Sequence, residues 1–166
     1  AEHGIKLIIL HTFIGFDKHE PTEMGVRMYG RLIEYAEQLG VNIALENTEG
    51  EEYLACLMDA FKDKKNVGFC WDTGHELCYN RSKDMIALYG DRLMCTHIND
   101  NLGVKDFSGE ITWKDDLHLL PFDGVNDWES VTPRIAKCNF GDTLISELTT
   151  KSKPDRQEKD HFVKKT

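Results

Sequence analysis

An α/β fold built on a parallel sheet is predicted by three features of the sequence. Short, almost wholly apolar runs alternate with segments of helical periodicity. Those runs lack the in–out alternation of a one-sided sheet, as expected for strands covered on both faces. Each run also ends on an ionisable residue: His11, Glu46, Asp72, His97, His118 or Glu147. The alternation implies parallel pairing with right-handed crossovers. By itself it fits a doubly wound sheet or a barrel.

The elements follow in order. Ile5 to Leu10 is a dense aliphatic strand ending at His11. Thr22 to Leu39 reads as a helix, with Met24, Met28, Leu32, Tyr35, Ala36 and Leu39 on one stripe and Gly40 as the stop. Val41 to Leu45 is a strand ending at Glu46. Glu51 to Phe61 is a helix with Tyr53, Leu54, Leu57, Met58 and Phe61 on its apolar side, and Val67 to Trp71 a strand ending at Asp72. Ser82 caps a short helix to Tyr89, and Leu93 to Thr96 is a strand ending at His97. A polar loop leads to a short strand at Leu117, His118 and Leu119. Asp127 opens a helix to Ala136 that contains Pro133, and Thr143 to Ser146 is the sixth strand, ending at Glu147.

Composition narrows the function classes. With 166 residues, 40% of them apolar and 30% charged, the chain can bury one real core. A net charge of −9 disfavours nucleic acid as a partner, because phosphate contacts need clustered Lys and Arg. The basic-rich stretch Lys151 to Lys165 also carries acids, so residues 151–166 read as a polar tail behind a domain of residues 1–150. No apolar run reaches the roughly 18 residues of a membrane span, and no membrane partner is expected. Five cysteines at irregular spacing, without a CxxC, point to free thiols in a reducing, cytoplasmic setting. Cys70 and Cys95 fall inside apolar runs, where a thiol behaves as a small hydrophobe.

In a closed parallel barrel the strand ends converge on one face, where barrel active sites are built. Residues more than a hundred positions apart would then meet. Two Glu, one Asp and one His form a mixed oxygen and nitrogen set of charge −3, suited to one divalent ion such as Mn, Mg, Co or Zn. No cysteine ends a strand, which argues against a soft-metal site. Without a cation the converging carboxylates would repel one another.

Several strings are familiar as a set: Leu45-Glu46-Asn47-Thr48, Trp71-Asp72-Thr73-Gly74-His75, His97-Ile98-Asn99-Asp100-Asn101, and Asp116 to Phe122 followed by Gly124 and Asp127-Trp128. Together they resemble the sugar phosphate isomerase/epimerase group of xylose isomerase-like barrels, a superfamily that includes the endonuclease IV type of repair enzyme. The resemblance runs from about Ile5 to Glu147. It implies a (β/α)8 TIM barrel with a metal on Glu46, Asp72, His97 and Glu147. It further implies that Glu46 and Glu147 exchange protons with a sugar or sugar phosphate through a metal-stabilised enediolate. His75 matches a substrate-contacting position. His11 and Asn47 would line the same pocket, while Asp100, Asp116 and His118 would orient His97 or bind substrate.

The match has departures. A complete barrel has eight strands and about 250 residues, against six strands here, so the first two β/α units and the last helix are expected to be missing. Open apolar sheet edges are an association hazard, and a homodimer or support from another segment is the expected remedy. Ketose 3-epimerases of this group carry an Arg soon after the His ligand, but residues 98–104 contain none. The alternatives are a polyol (inosose-type) dehydratase on the same scaffold, an endonuclease IV-like three-zinc phosphodiesterase, and a non-catalytic sugar- or metal-binding fragment. Asp116 and His118 favour the phosphodiesterase; the acidic charge opposes it.

Overall fold

The computed structural model describes residues 2–17, 20–138, 140, 141 and 143–149. At its centre is a parallel sheet of β1 (Leu7–His11), β2 (Asn42–Glu46), β3 (Val67–Asp72) and β4 (Leu93–His97), in the order β1-β2-β3-β4. Each strand lies beside its neighbour in sequence. A doubly wound sheet reverses its order at a switch point, so the winding is that of a (β/α)8 barrel, of which this is a part. The polar tail of residues 151–166 lies outside the described residues.

Helices α1 (Glu23–Gln38) and α2 (Glu51–Ala60) connect the first three strands. Thr22 caps α1 by accepting from the Gly25 N–H at 3.1 Å, and Gly40, at φ +65°, supplies the left-handed turn that follows it. Burial corrects the predicted stripe. Ile33 and Ala36 are the buried residues of α1, with Val26 and Tyr29 packed beside them, whereas Met24, Met28, Leu32, Tyr35 and Leu39 are exposed. The helix thus carries two apolar faces, and the core takes the one formed by Val26, Tyr29, Ile33 and Ala36. On α2, Leu54, Leu57 and Met58 are buried as predicted.

A short helix absent from the sequence reading, α3 (Thr73–Cys78), follows β3 directly and is capped by Asp72. Helix α4 (Met85–Tyr89) starts later than predicted. Ser82 sits at φ +53° and does not cap it; Asp84 does, accepting from the Ala87 N–H at 3.0 Å. Helix α5 (Trp128–Ala136) begins at its predicted cap, Asp127, and continues through Pro133. Arg134 on α5 grips the carboxylate of Glu76 with two 2.8 Å bonds and stacks 4.6 Å from the centre of the Trp71 ring. Trp71 itself donates to Glu76 at 2.9 Å. This network clamps α5 to the end of β3.

Two predicted strands do not form. Residues 117–119 make a single antiparallel bridge, Leu119 to Asp100, and His118 at φ +44° leaves the extended region a strand needs. Residues 143–146 make no strand either. The Ile98 N–H donates to the Ile145 carbonyl at 2.8 Å, and the Ile145 N–H donates to Thr96 Oγ1 at 3.0 Å. That pairing is enough to lay the segment beside β4 but too little for a ladder.

Side chains of alternate parity separate the two faces of the sheet. Ile43, Leu45, Phe69 and Trp71 join the helices in the main core. Burying each such side chain stabilises the fold by roughly 1.5–3 kcal/mol. The opposite parity carries Ala44, Cys70 and Cys95 and, two residues on, Glu46, Asp72 and His97. The ionisable residues therefore point to the face that lies inside a barrel.

Candidate metal centre

Strand register brings the ionisable side chains together. His11 pairs with Glu46 across β1 and β2, and Asp72 pairs with His97 across β3 and β4. Glu147 arrives from the segment held by the Ile98–Ile145 bond. Ligand atoms of Glu46, Asp72, His97 and Glu147 all lie within 4.8 Å of one another. These are the four predicted metal positions.

The contacts are dense. Nδ1 of His97 lies 3.2 Å from Glu46 Oε1, 2.9 Å from Glu147 Oε2 and 4.0 Å from Asp72 Oδ2. Nδ1 of His75 is also 3.2 Å from Glu46 Oε1, and His11 Nε2 is 3.5 Å from Glu46 Oε2. Yet both Glu46 oxygens and His97 Nδ1 are buried without a well-directed hydrogen bond among the described residues. Buried donors and acceptors are normally paired. Lone pairs converging from carboxylate and imidazole, unsatisfied by hydrogen bonds, fit a divalent cation bound by oxygen and nitrogen.

Electrostatics agree. Burial disfavours the charge on Glu46, but the neighbouring His11, His75 and His97 outweigh it and hold the carboxyl well below the usual range. Burial likewise opposes the His97 imidazolium, yet Glu147 and Glu46 lift its pKa to about 10. Asp72, fully buried, is raised by desolvation against the pull of His75.

A second donor group adjoins the first. Asp116 Oδ2 lies 3.1 Å from His75 Nε2 and 2.8 Å from His118 Nε2, and the three ligand atoms fall within 4.8 Å of one another. Burial works against the Asp116 charge, but the two imidazoles keep its carboxyl low. His118 Nδ1 also reaches the Glu147 carbonyl at 3.1 Å. Its left-handed backbone is a conformation that folds retain mostly at functional positions.

Other predicted site residues are placed differently. Asn47 is wholly buried, and its amide bonds both the N–H and the carbonyl of Asp72 as well as Asn80. It positions Asp72 rather than lining an open pocket. Asp100 is likewise turned away from the cluster. Its oxygens accept from the N–H groups of Asn101, Asn126 and Phe122 and from the Trp128 indole, all within 3.0 Å. Asp100 thereby organises the loop before α5. Phe13 stacks on Tyr53 at 4.7 Å, and Phe122 leans on Trp128.

Asn99 was missed by sequence reasoning. Its Nδ2 donates to Asp72 Oδ2 at 2.8 Å, while the His75 N–H occupies Oδ1 at 2.7 Å. Its position two residues after His97 was the available signal. A methyl group on Gly74 would overlap the Asn99 side-chain oxygen, which accounts for glycine in the Asp-Thr-Gly-His string.

Fold and donor set together define a barrel-type α/β protein with a candidate metal-binding group at one end of its sheet. The chain belongs to the xylose isomerase-like TIM barrel family, whose sequence model matches residues 1–164. It is 39% identical over 106 residues to an uncharacterised protein, y4fM, of Sinorhizobium fredii, covering 60% of this chain and 31% of that one. Its fold is similar to that of a D-tagatose 3-epimerase-like protein, with TM-score 0.61, 20% identity, and coverage of 96% of this chain and 61% of that one. The xylose isomerase domain protein from Planctomyces limnophilus is also similar, with TM-score 0.68, 21% identity, and coverage of 97% and 56%. The chain thus spans about a third of the curated relative and less than two thirds of these solved chains. Among the described residues no helix is long and apolar enough to cross a membrane.

Proposed function

We propose that this chain carries the metal centre of a divalent-metal-dependent isomerase or epimerase acting on a small sugar or sugar phosphate. The observation that carries this reading is the convergence of Glu46, Asp72, His97 and Glu147. These four residues would hold the cation. When bound, it supplies Lewis acidity to adjacent oxygens of a hydroxyketone and so acidifies the carbon that bears them.

The proton chemistry belongs to the two glutamates. Glu46 is held ionised by the three imidazoles around it, the form from which a carboxylate accepts a proton. The Glu147 side chain keeps 46% of its surface exposed, open to a substrate. One glutamate takes a proton and the other delivers one. Delivery to the opposite face of the same carbon gives epimerisation; delivery to the neighbouring carbon gives aldose–ketose isomerisation. His75 is buried with its two ring nitrogens on Asn47 and Asp116, and His118 spends its own on Asp116 and the Glu147 carbonyl, so the pair fixes Asp116 and Glu147 beside the centre rather than binding substrate directly. The lack of Arg between Ile98 and Val104 points away from a free-ketose 3-epimerase.

The test is metal content after extensive dialysis, on wild type and Glu147→Ala, followed by a sugar screen for carbon-bound deuterium uptake in D2O. About one divalent ion per chain, lost in the variant, with deuterium entering a sugar, is the expected result. Metal bound without any exchange would instead describe a binding fragment.

The group of His75, Asp116 and His118 favours a second reading, a multi-zinc phosphodiesterase. Zinc clearly above one per chain, with hydrolysis of a phosphodiester and no deuterium uptake, would replace the isomerase reading.

A further inference from the structure

Cys70 and Cys95 are in-register partners across β3 and β4, two residues before Asp72 and His97 and so the next pair down on the same face. Cys70 is also the register partner of Glu46 across β2 and β3. Both thiols are buried on the inner face and both are free. Their sulfurs and a ring nitrogen of His97 lie within 4.8 Å of one another. Around them pack Ala44, Leu7, Ile9 and the thioether side chain of Met94. This is a dry, sulfur-rich floor directly under the oxygen-rich centre.

We propose that Cys70, Cys95 and His97 form a second metal site, selective for thiophilic d10 cations such as Cd²⁺, Zn²⁺ or Cu⁺. It is an alternative to the carboxylate site, because both need His97. The absence of cysteine at strand ends had argued against soft metals. Parallel register overrides that argument by setting the two thiols side by side, one step below the ends.

The geometry suits a bridging cation better than a disulfide. Neighbouring strands run about 4.7–4.9 Å apart, so side chains projecting in parallel start wider than the roughly 3.8 Å mean Cβ separation of a disulfide. Two metal–sulfur bonds of about 2.3 Å span such a gap. Binding breaks two S–H bonds and one imidazolium N–H bond, forms two metal–sulfur bonds and one metal–nitrogen bond, and releases three protons to solvent. No oxidant is involved. Thiolate and imidazole donors favour soft cations, whereas Mg²⁺ and Mn²⁺ favour the carboxylates above. The proposal does not depend on the isomerase reading.

The experiment is a Cd²⁺ titration of the full chain, read by the thiolate-to-cadmium charge-transfer band and by the ¹¹³Cd resonance with its correlations to ligand protons. One equivalent should give the band, with correlations to two cysteines and one histidine ring. The band should disappear in Cys70→Ser and in Cys95→Ser and persist in Glu147→Ala, which removes a ligand of the upper site alone. A ¹¹³Cd shift typical of oxygen and nitrogen ligands, or a band unchanged in the cysteine variants, overturns the proposal. Should either variant fail to fold, the wild-type correlations decide by themselves.

Discussion

Nδ1 of His97 lies 2.9 Å from Oε2 of Glu147, which joins the last strand of the sheet to a segment that forms no strand. Glu147 is held in place by this contact, by the bond between His118 and its own carbonyl, and by the Ile98–Ile145 bond two residues earlier.

Glu147→Ala should weaken divalent-metal binding by more than about 100-fold. That exceeds the roughly 10–100-fold expected when a residue merely supports a ligand. Isothermal titration with Mn²⁺ measures it. An unchanged affinity would remove Glu147 from the ligand set.

Asn99 reaches the candidate metal site through the Asp72 carboxylate at 2.8 Å and, more weakly, the His97 backbone carbonyl at 3.4 Å. Asn99→Ala should lower metal affinity by about 10–100-fold while every ligand remains present. The backbone bond from the Asn99 N–H to Thr73 Oγ1 survives this change, so the loss of stability should stay within the roughly 1–3 kcal/mol of one buried oxygen left unpaired. A large loss of stability at constant affinity would make Asn99 a purely structural residue.

A methyl group at Gly124 would overlap the Asp100 carboxylate and the Asn101 carbonyl. Gly124→Ala should therefore destabilise the fold by about 1–3 kcal/mol through overpacking. Chemical denaturation reads this directly, and a variant as stable as wild type contradicts the tight packing of the loop on Asp100.

The metal-free chain should lose stability as pH rises. His97 is lifted from 6.5 to about 10, so the folded state holds its proton more tightly than the unfolded state. That contribution is fully present below about pH 6.5 and fades as pH climbs through about 10. Melting temperature should fall across this window in wild type and fall less in His97→Gln. Metal affinity should move the opposite way, because Nδ1 must shed its proton to bind. A flat affinity profile would show that the cation does not use His97.

Local chemistry made much of this protein readable in advance. The four strands of the sheet and the helices beside them stand within a few residues of where apolar runs, periodicity and caps placed them. Two of the exceptions arose where a backbone left its expected region. Ser82 and His118 both adopt left-handed conformations, so the first does not cap a helix and the second does not extend a strand. Neither residue type announces this in the chain.

The types of residue at the strand ends were legible as well. An acid or imidazole after an apolar run is visible in one dimension, and the six residues so marked include the four whose side chains meet in the candidate metal centre. Their partners were not. Asp100 turns into its own loop, Asn47 closes around the backbone of Asp72, and Asn99 takes an Asp72 oxygen. All three choices depend on which hydrogen-bond donors lie within 3 Å, and chain order does not contain that information. The Cys70–Cys95 pair shows the same boundary. Composition marks two buried thiols, but whether they meet depends on the register of β3 against β4. Periodicity specifies which face a side chain occupies; register and loop closure, set by packing across the whole sheet, specify its neighbours.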